Sequence, residues 1–177
     1  ICLATLGCKV NQVESAYLEE AFVRLGYQLV DWPQPADVII INTCTVTARA
    51  DRQSRQMLHR ARRANPGALI AVTGCGPLAG KNAAAAFPEA DLVTGNVEKE
   101  DLPRLVAEWG RDNEPIQVGD VSQTMQVQAG GAHEKHGRTR AFLKIQDGCP
   151  AACTYCIVPR VRGPNRSVPR EQVLASV

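Results

Sequence analysis

No apolar run in this sequence is long enough to cross a membrane. The longest are of the kind Val38-Ile39-Ile40-Ile41, far short of the ~20 residues a spanning helix needs. No P-loop, dinucleotide fingerprint or Ser/His/Asp constellation is present, so three common carriers of enzymatic chemistry are missing. No internal repeat is found. No basic region precedes the opening strand pattern, so a secretory leader is not read here, and the expected compartment is the cytoplasm. No second C-x2-C unit stands near Cys153-x2-Cys156, as a structural zinc site would require. Seven cysteines, an odd number in a chain read as non-secreted, argue against a disulfide framework and for metal or redox chemistry.

What is present is an ordinary globular composition, 45% apolar and 21% charged. At 177 residues the chain is expected to hold one full domain and part of a second. It opens at Ile1 already in strand pattern and ends just after a helix start, so it reads as a fragment. The net charge of +2 hides an asymmetry. Residues 1–128 carry 12 Lys/Arg against 15 Asp/Glu, and residues 129–177 carry 8 against 3. The basic end suits an anionic ligand. A chance excess on a solvated surface remains the plain alternative.

Strand and helix patterns alternate along the first two thirds. Ile1–Leu6 is a buried-strand pattern. Asn11 and Glu14 resemble a capping box opening a helix to about Leu25, with Gly26 at its C′ position. Tyr27–Val30 reads as a second strand. Asp37–Cys44 is apolar on both faces, as a sandwiched parallel strand requires. A polar helix at about Ala48–Ala64 follows, then a strand at Ala68–Cys75 and an alanine-rich helix to about Phe87. Asp91–Thr94 is a short strand and Glu98–Trp109 a helix. The expected fold is α/β, a doubly wound parallel sheet over residues 1–114. Residues 115–138 read as a polar linker. Residues 139–177 begin a second domain, with Arg140–Gln146 as a strand delivering a cysteine loop.

That loop carries Cys149, Cys153 and Cys156 in C-x3-C-x2-C spacing. Three thiolates this close can hold three corners of an iron–sulfur cube and leave the fourth iron open. Buried or disulfide-bonded cysteines are the alternative. Cys8, Cys44 and Cys75 share a different regularity, since each lies at the carboxyl end of an expected parallel strand. In an open α/β sheet those ends line one crevice, so three separate loops can bring three thiols together. Glycines before Cys8 and Cys75 allow close backbone approach, and helix N-termini nearby favour thiolates. Three small residues that merely pack well at strand ends are the competing explanation. Cys2, inside a strand, is assigned to the core.

Together, Thr5-Leu6-Gly7-Cys8-Lys9-Val10-Asn11-Gln12, Asn42-Thr43-Cys44, Thr73-Gly74-Cys75 and the C-x3-C-x2-C loop resemble the radical S-adenosylmethionine (radical SAM) methylthiotransferases. The form around Cys8 is most similar to the MtaB-type tRNA enzymes, which act on N6-threonylcarbamoyladenosine. The resemblance implies two 4Fe–4S clusters. One is an auxiliary cluster on Cys8, Cys44 and Cys75. The other, on Cys149, Cys153 and Cys156, binds and cleaves SAM, with Tyr155 beside it. It further implies a radical SAM partial TIM barrel starting near residue 139, an RNA-binding β-barrel beyond it, and an inactive isolated fragment. Implied partners are the tRNA anticodon loop, an electron donor of flavodoxin or ferredoxin type and a sulfur donor, with a monomeric chain and no membrane. Methylthiolation of isopentenyladenosine in tRNA, or of a ribosomal-protein aspartate, are the other branches. A non-catalytic iron–sulfur or zinc module is the alternative of another class.

Two weaker signals complete the reading. Arg52, Arg55, His59 and Arg62 recur at helical spacing, either to meet RNA phosphates or as a solvated face. Arg162 and Arg166, in a segment resembling the family's Arg-Gly…Arg-Ser stretch, are expected to contact substrate or shape the SAM pocket. His133 and His136 have no third ligand near and are expected to be solvent-exposed.

Overall fold

The computed structural model describes residues 1–80, 82–110, 115–123, 127, 130–133 and 142–176. Five parallel strands form the main sheet in the order β1 (Cys2–Thr5), β2 (Val38–Thr43), β3 (Leu69–Gly74), β4 (Leu92–Thr94) and β5 (Ile116–Gln117). Successive side chains of a strand point to opposite faces, and β2 shows what that requires here. All six of its residues are buried. Val38 and Ile40 pack with Leu18 and Phe22 of α1 (Lys9–Arg24) and with Leu102, Leu105 and Val106 of α4 (Leu102–Ala107). Ile39 and Ile41 pack on the other face with Leu58 and Ala61 of α2 (Ala48–Ala64) and with Phe87, just past α3 (Ala83–Ala86). The doubly wound sheet expected from the sequence is therefore present.

At the far edge Val30 forms a single parallel bridge with Cys2. The chain thus leaves β1 for the edge through α1, then returns past β1 to enter β2. That reversal makes the gap between β1 and β2 a topological switch point, where ligands bind in open α/β sheets. The expected strand at Tyr27–Val30 shrinks to this bridge. The Tyr27 amide donates to Phe22 O, and its ring stands edge-on to Phe22 at 5.3 Å between centroids. Those contacts tie residue 27 to the helix end, leaving Val30 to reach the sheet.

Local chemistry moves other boundaries. Helix α1 starts at Lys9 with Cys8 as its N-cap, so Asn11 does not cap it. The Asn11 amide instead donates to Leu6 O and Thr43 O. Helix α2 matches its expected span, with the Thr47 hydroxyl accepting from the Ala50 amide, Asp51 in the first turn, and Arg62 and Arg63 in the last. The alanine-rich helix is shorter than expected. A 3₁₀ turn at Gly76–Leu78 comes first, Asn82 accepts from the Ala85 amide at the helix start, and Pro88 follows its end. Helix α4 begins four residues late. The Glu98 carboxylate bonds the Gly95 and Gly119 amides, and Lys99 is buried among charged partners.

The segment 115–138, expected as a linker, adds β5 to the sheet, a 3₁₀ turn at Val121–Gln123, and β6 (Gly130–His133). Its polar composition hid a short edge strand. β6 pairs antiparallel with β7 (Phe142–Lys144), and both lie against α1. The expected strand 140–146 is broken at Ile145; β8 (Gln146–Asp147) pairs with β9 (Arg166–Ser167). Lys144 and Asp147 turn to the same ion cluster, and a continuous strand would place residues three apart on opposite faces. Arg140, His136 and part of the expected linker lie outside the described residues. Helices α5 (Val158–Arg162) and α6 (Arg170–Ala175) complete the chain. No helix among the described residues is long and apolar enough to cross a membrane.

Candidate metal centre at the strand ends

Cys8, Cys44 and Cys75 follow β1, β2 and β3, three adjacent strands, at their carboxyl ends. Cys44 and Cys75 are buried and Cys8 is exposed. The two preceding glycines serve close approach. Gly7 has φ +95°, and a Cβ there would overlap the Cys44 side chain, standing 2.5 Å from its Sγ. Gly74 has φ +97°, and a Cβ there would stand 2.5 Å from Thr43 O. Only glycine meets both the backbone conformation and the space. Burial pushes the Cys44 thiol above its ordinary value, against the opposing hydrogen bond from the Val46 backbone. Among the described residues no group of three or more Cys, His, Asp or Glu is placed so that it could hold a metal ion.

A bed of buried polar groups fixes these loops. The Thr5 hydroxyl donates to Ser15 Oγ at 2.7 Å, and the Asn42 amide donates to Ser15 Oγ and Asn11 O. The Thr43 hydroxyl donates to Thr73 O and accepts from the Gly76 amide. The Ser54 hydroxyl donates to Cys44 O and accepts from the Cys44 amide. Buried networks of this kind rigidify a site, and here one acceptor, Asn42 Oδ1, is buried without a partner among the described residues. Sequence reasoning passed over Ser15 and Ser54. Their signal was a polar residue where helical periodicity asks for an apolar one.

The second cysteine set lies in the loop between β8 and α5. Cys149 and Cys156 are half-buried and Cys153 is exposed. The Cys149 amide donates to Gly163 O and the Cys156 amide to Cys153 O. Gly148 has φ +74°, and a Cβ there would press into the Pro164 and Gly163 carbonyls. Tyr155 is 90% exposed. Asn96 connects the two sets, since its amide donates to Val161 O at 2.6 Å and stands 3.6 Å from Cys75 Sγ.

Beneath both sets lies a buried ion cluster. Glu14 on α1 receives Lys99 at 2.5 Å, Lys144 at 2.7 Å and Arg162 at 2.9 Å. Asp147 receives Lys144 at 2.8 Å and Arg162 at 3.0 Å. The Arg162 guanidinium also donates to Asn11 Oδ1 at 2.6 Å. Burial alone would raise the Glu14 carboxyl, but Lys99, Arg162 and Lys144 hold it well below the usual carboxylate range. Asp147 is likewise lowered, Arg162 and Lys144 outweighing its burial. Burial lowers Lys99, with Arg162 adding to the effect against the pull of Glu14. For Lys144, Glu14 and Asp147 overcome the burial penalty and raise it.

The remaining expected residues fall as follows. Arg162 is 5% exposed, with its hydrogen bonds made to protein groups. Arg166 donates to Arg162 O. Cys2 is in the core. On α2, Arg62 is spent on the Glu89, Pro66 and Ala68 carbonyls and on Asp91. His59 pairs with Glu89 and Arg55 with Asp51. That helix face is thus largely committed within the chain.

Comparison with known proteins agrees with this architecture. Relatives include threonylcarbamoyladenosine tRNA methylthiotransferases MtaB of Aquifex aeolicus, 37% identical over 100% of this chain and 43% of that protein, and of Bacillus subtilis, 38% identical over 98% of this chain and 39% of that protein. A ribosomal protein uS12 methylthiotransferase RimO of Moorella thermoacetica is 33% identical over 99% of this chain and 40% of that protein. The chain thus spans about two fifths of the length of these curated relatives. Among solved structures, the radical S-adenosylmethionine methyltransferase TsrM of Kitasatospora setae superposes with a TM-score of 0.62 at 15% identity, over 99% of this chain and 44% of that one. That likeness is one of fold. Residues 1–95, which contain β1 to β4 and all three strand-end cysteines, match the family described as "Uncharacterized protein family UPF0004", and the chain belongs to that family.

Proposed function

We propose that this chain carries the two cysteine centres of a radical SAM methylthiotransferase acting on C2 of N6-threonylcarbamoyladenosine in the tRNA anticodon loop. The observation that carries the proposal is the pairing of two three-cysteine sets, joined through Asn96 and the buried ion cluster. The donor sets fit iron–sulfur ligation: three thiols from adjacent strand ends beside buried cations, and three thiols within one eight-residue loop. Cys8, Cys44 and Cys75 would hold an auxiliary 4Fe–4S cluster, and Cys149, Cys153 and Cys156 a second one that binds SAM. When bound, these groups supply reductive cleavage of SAM and the sulfur to be transferred.

The chain's own residues position and shield that chemistry. Three ligands in each set leave one iron coordination site for SAM or for sulfur. The polar bed of Ser15, Asn42 and Ser54 holds the strand-end loops in place, and the buried walls of β2 and β3 keep water from Cys44 and Cys75. Tyr155, exposed in its loop, is proposed to lie beside SAM. Relatives named for the threonylcarbamoyladenosine reaction, at 33–38% identity, support that substrate. Relatives named for dimethylallyladenosine in tRNA, at 30–34%, and for protein uS12 mark the alternatives.

Anaerobic reconstitution followed by iron and sulfide analysis tests the centres. Two clusters per chain are expected, dropping to one when Cys8, Cys44 and Cys75 are replaced together by Ala. Stoichiometric zinc without iron would refute the proposal. For the substrate, nucleoside analysis of tRNA from a deletion strain carrying the full-length gene should show methylthiolated threonylcarbamoyladenosine restored.

A further inference from the structure

We infer that Arg162, with Asn96, is a positioning residue that locks the C-x3-C-x2-C loop onto the strand-end crevice and so sets the distance between the two cysteine centres. The inference rests on the reading of both sets as cluster ligands, and its structural core stands apart from that reading. Asp147 and Arg162 bracket the loop, two residues before Cys149 and six after Cys156. Both meet at one guanidinium–carboxylate contact, with Arg162 Nη1 3.0 Å from each Asp147 oxygen. The same guanidinium reaches across to α1, to Glu14 at 2.9 Å and Asn11 at 2.6 Å. Asn11 in turn bonds the carbonyls of Leu6 and Thr43, which adjoin the loops holding Cys8 and Cys44. Asn96 makes the third tie, from Val161 O to the side of Cys75. Each strand-end loop is therefore linked to α5 or its flanking residues by a buried or part-buried polar contact.

Glycines remove the slack. A side chain on Gly148 or Gly163 would collide with backbone carbonyls on the facing segment, so the loop base sits directly on its neighbours. The reaction proposed above gives such a clamp a purpose. One carbon must lose hydrogen to chemistry at the first centre and gain sulfur from the second, so both must reach the same point. On Glu14 the guanidinium is bidentate, Nη1 to Oε1 at 2.9 Å and Nη2 to Oε2 at 3.2 Å, and such a planar fork fixes direction as well as distance, which a lysine ammonium does not.

The test uses this chain with Arg162→Gln, Arg162→Lys and Asn96→Ala. Hydrogen exchange is followed in the metal-free protein, and pulsed dipolar EPR in the reconstituted, reduced protein. In Arg162→Gln, exchange of residues 145–167 should rise at least about tenfold with β1 to β4 unchanged. The inter-cluster distance distribution should broaden with iron content retained. Arg162→Lys should restore exchange protection but leave the distance distribution broad, separating charge from geometry. Unchanged exchange and a sharp distance in Arg162→Gln would overturn the inference. Should that variant fail to fold, Asn96→Ala decides, since exchange at 158–163 must rise. Should the wild type load no iron, the reading of the cysteines fails while the exchange measurements still judge the clamp.

Discussion

Replacing Glu14 by Gln removes one charge from the centre of the buried ion cluster and leaves its shape almost intact. In the wild type, Glu14 faces Lys99, Lys144 and Arg162 within 2.5–2.9 Å, with side chains 10% or less exposed. Once Glu14 is neutral, Asp147 still pairs with Lys144 and Arg162, while Lys99 loses its ion pair and keeps the Asn96 side-chain oxygen at 2.9 Å. Breaking a buried pair from one side costs about 3–5 kcal/mol, because the partner charge stays buried. The Gln carbonyl still accepts hydrogen bonds, so the lower end, about 3 kcal/mol, applies. For a chain of this size that corresponds to a fall in Tm of about 6–12 °C. The assay is urea unfolding of the metal-free, reduced chain at pH 7. The pH dependence gives a second check. The folded Glu14 carboxyl is held below its ordinary value, so its contribution is fully present above about pH 4.3 and lost as pH falls through the folded value. The gap between wild type and Glu14→Gln should therefore close in acid. A loss under about 1 kcal/mol at pH 7, or a gap that widens in acid, would refute the reasoning.

Gly7→Ala should cost about 1–3 kcal/mol by overpacking against Cys44 at a positive φ, and anaerobic reconstitution should show lower iron occupancy with the Cys149–Cys156 loop still loaded. Cys2→Ala should leave iron content at the wild-type level, in contrast to Cys8→Ala, because Cys2 lies in the core away from the crevice. Arg62→Ala should lower Tm while leaving the proposed tRNA binding unchanged, since that guanidinium is spent inside the chain. Arg52→Ala is the informative comparison in a filter-binding titration at varied salt.

The strand-end station of Cys8, Cys44 and Cys75 could be read from sequence because parallel strands announce themselves as apolar runs with sharp ends. Val38–Thr43 and Leu69–Gly74 are long and uniform, so the residue after each is well defined. β5 was invisible for the opposite reason, being two residues long and set in polar sequence. The ion cluster was also hidden. Glu14, Lys99, Lys144 and Arg162 come from four separate segments; Glu14 reads as half of a helix cap and Arg162 as a substrate or SAM-pocket contact, and no spacing ties the four together. Asn11 shows the same limit at closer range. Its spacing to Glu14 fits a helix cap, yet tertiary partners at Leu6 and Thr43 claim its amide.

The order of strands along the sheet also bears on how the protein matures. The loop holding Cys149, Cys153 and Cys156 closes over a few residues, so its thiols are neighbours even in an unfolded chain. Cys8, Cys44 and Cys75 become neighbours only after the chain has gone out to Val30, come back past β1, and paired β2 with β3. Closing those longer segments carries the larger entropic cost and the slower step. On the proposed reading, iron offered to the complete unfolded chain would meet the local set first, and the dispersed set would accept metal only from a sheet already built.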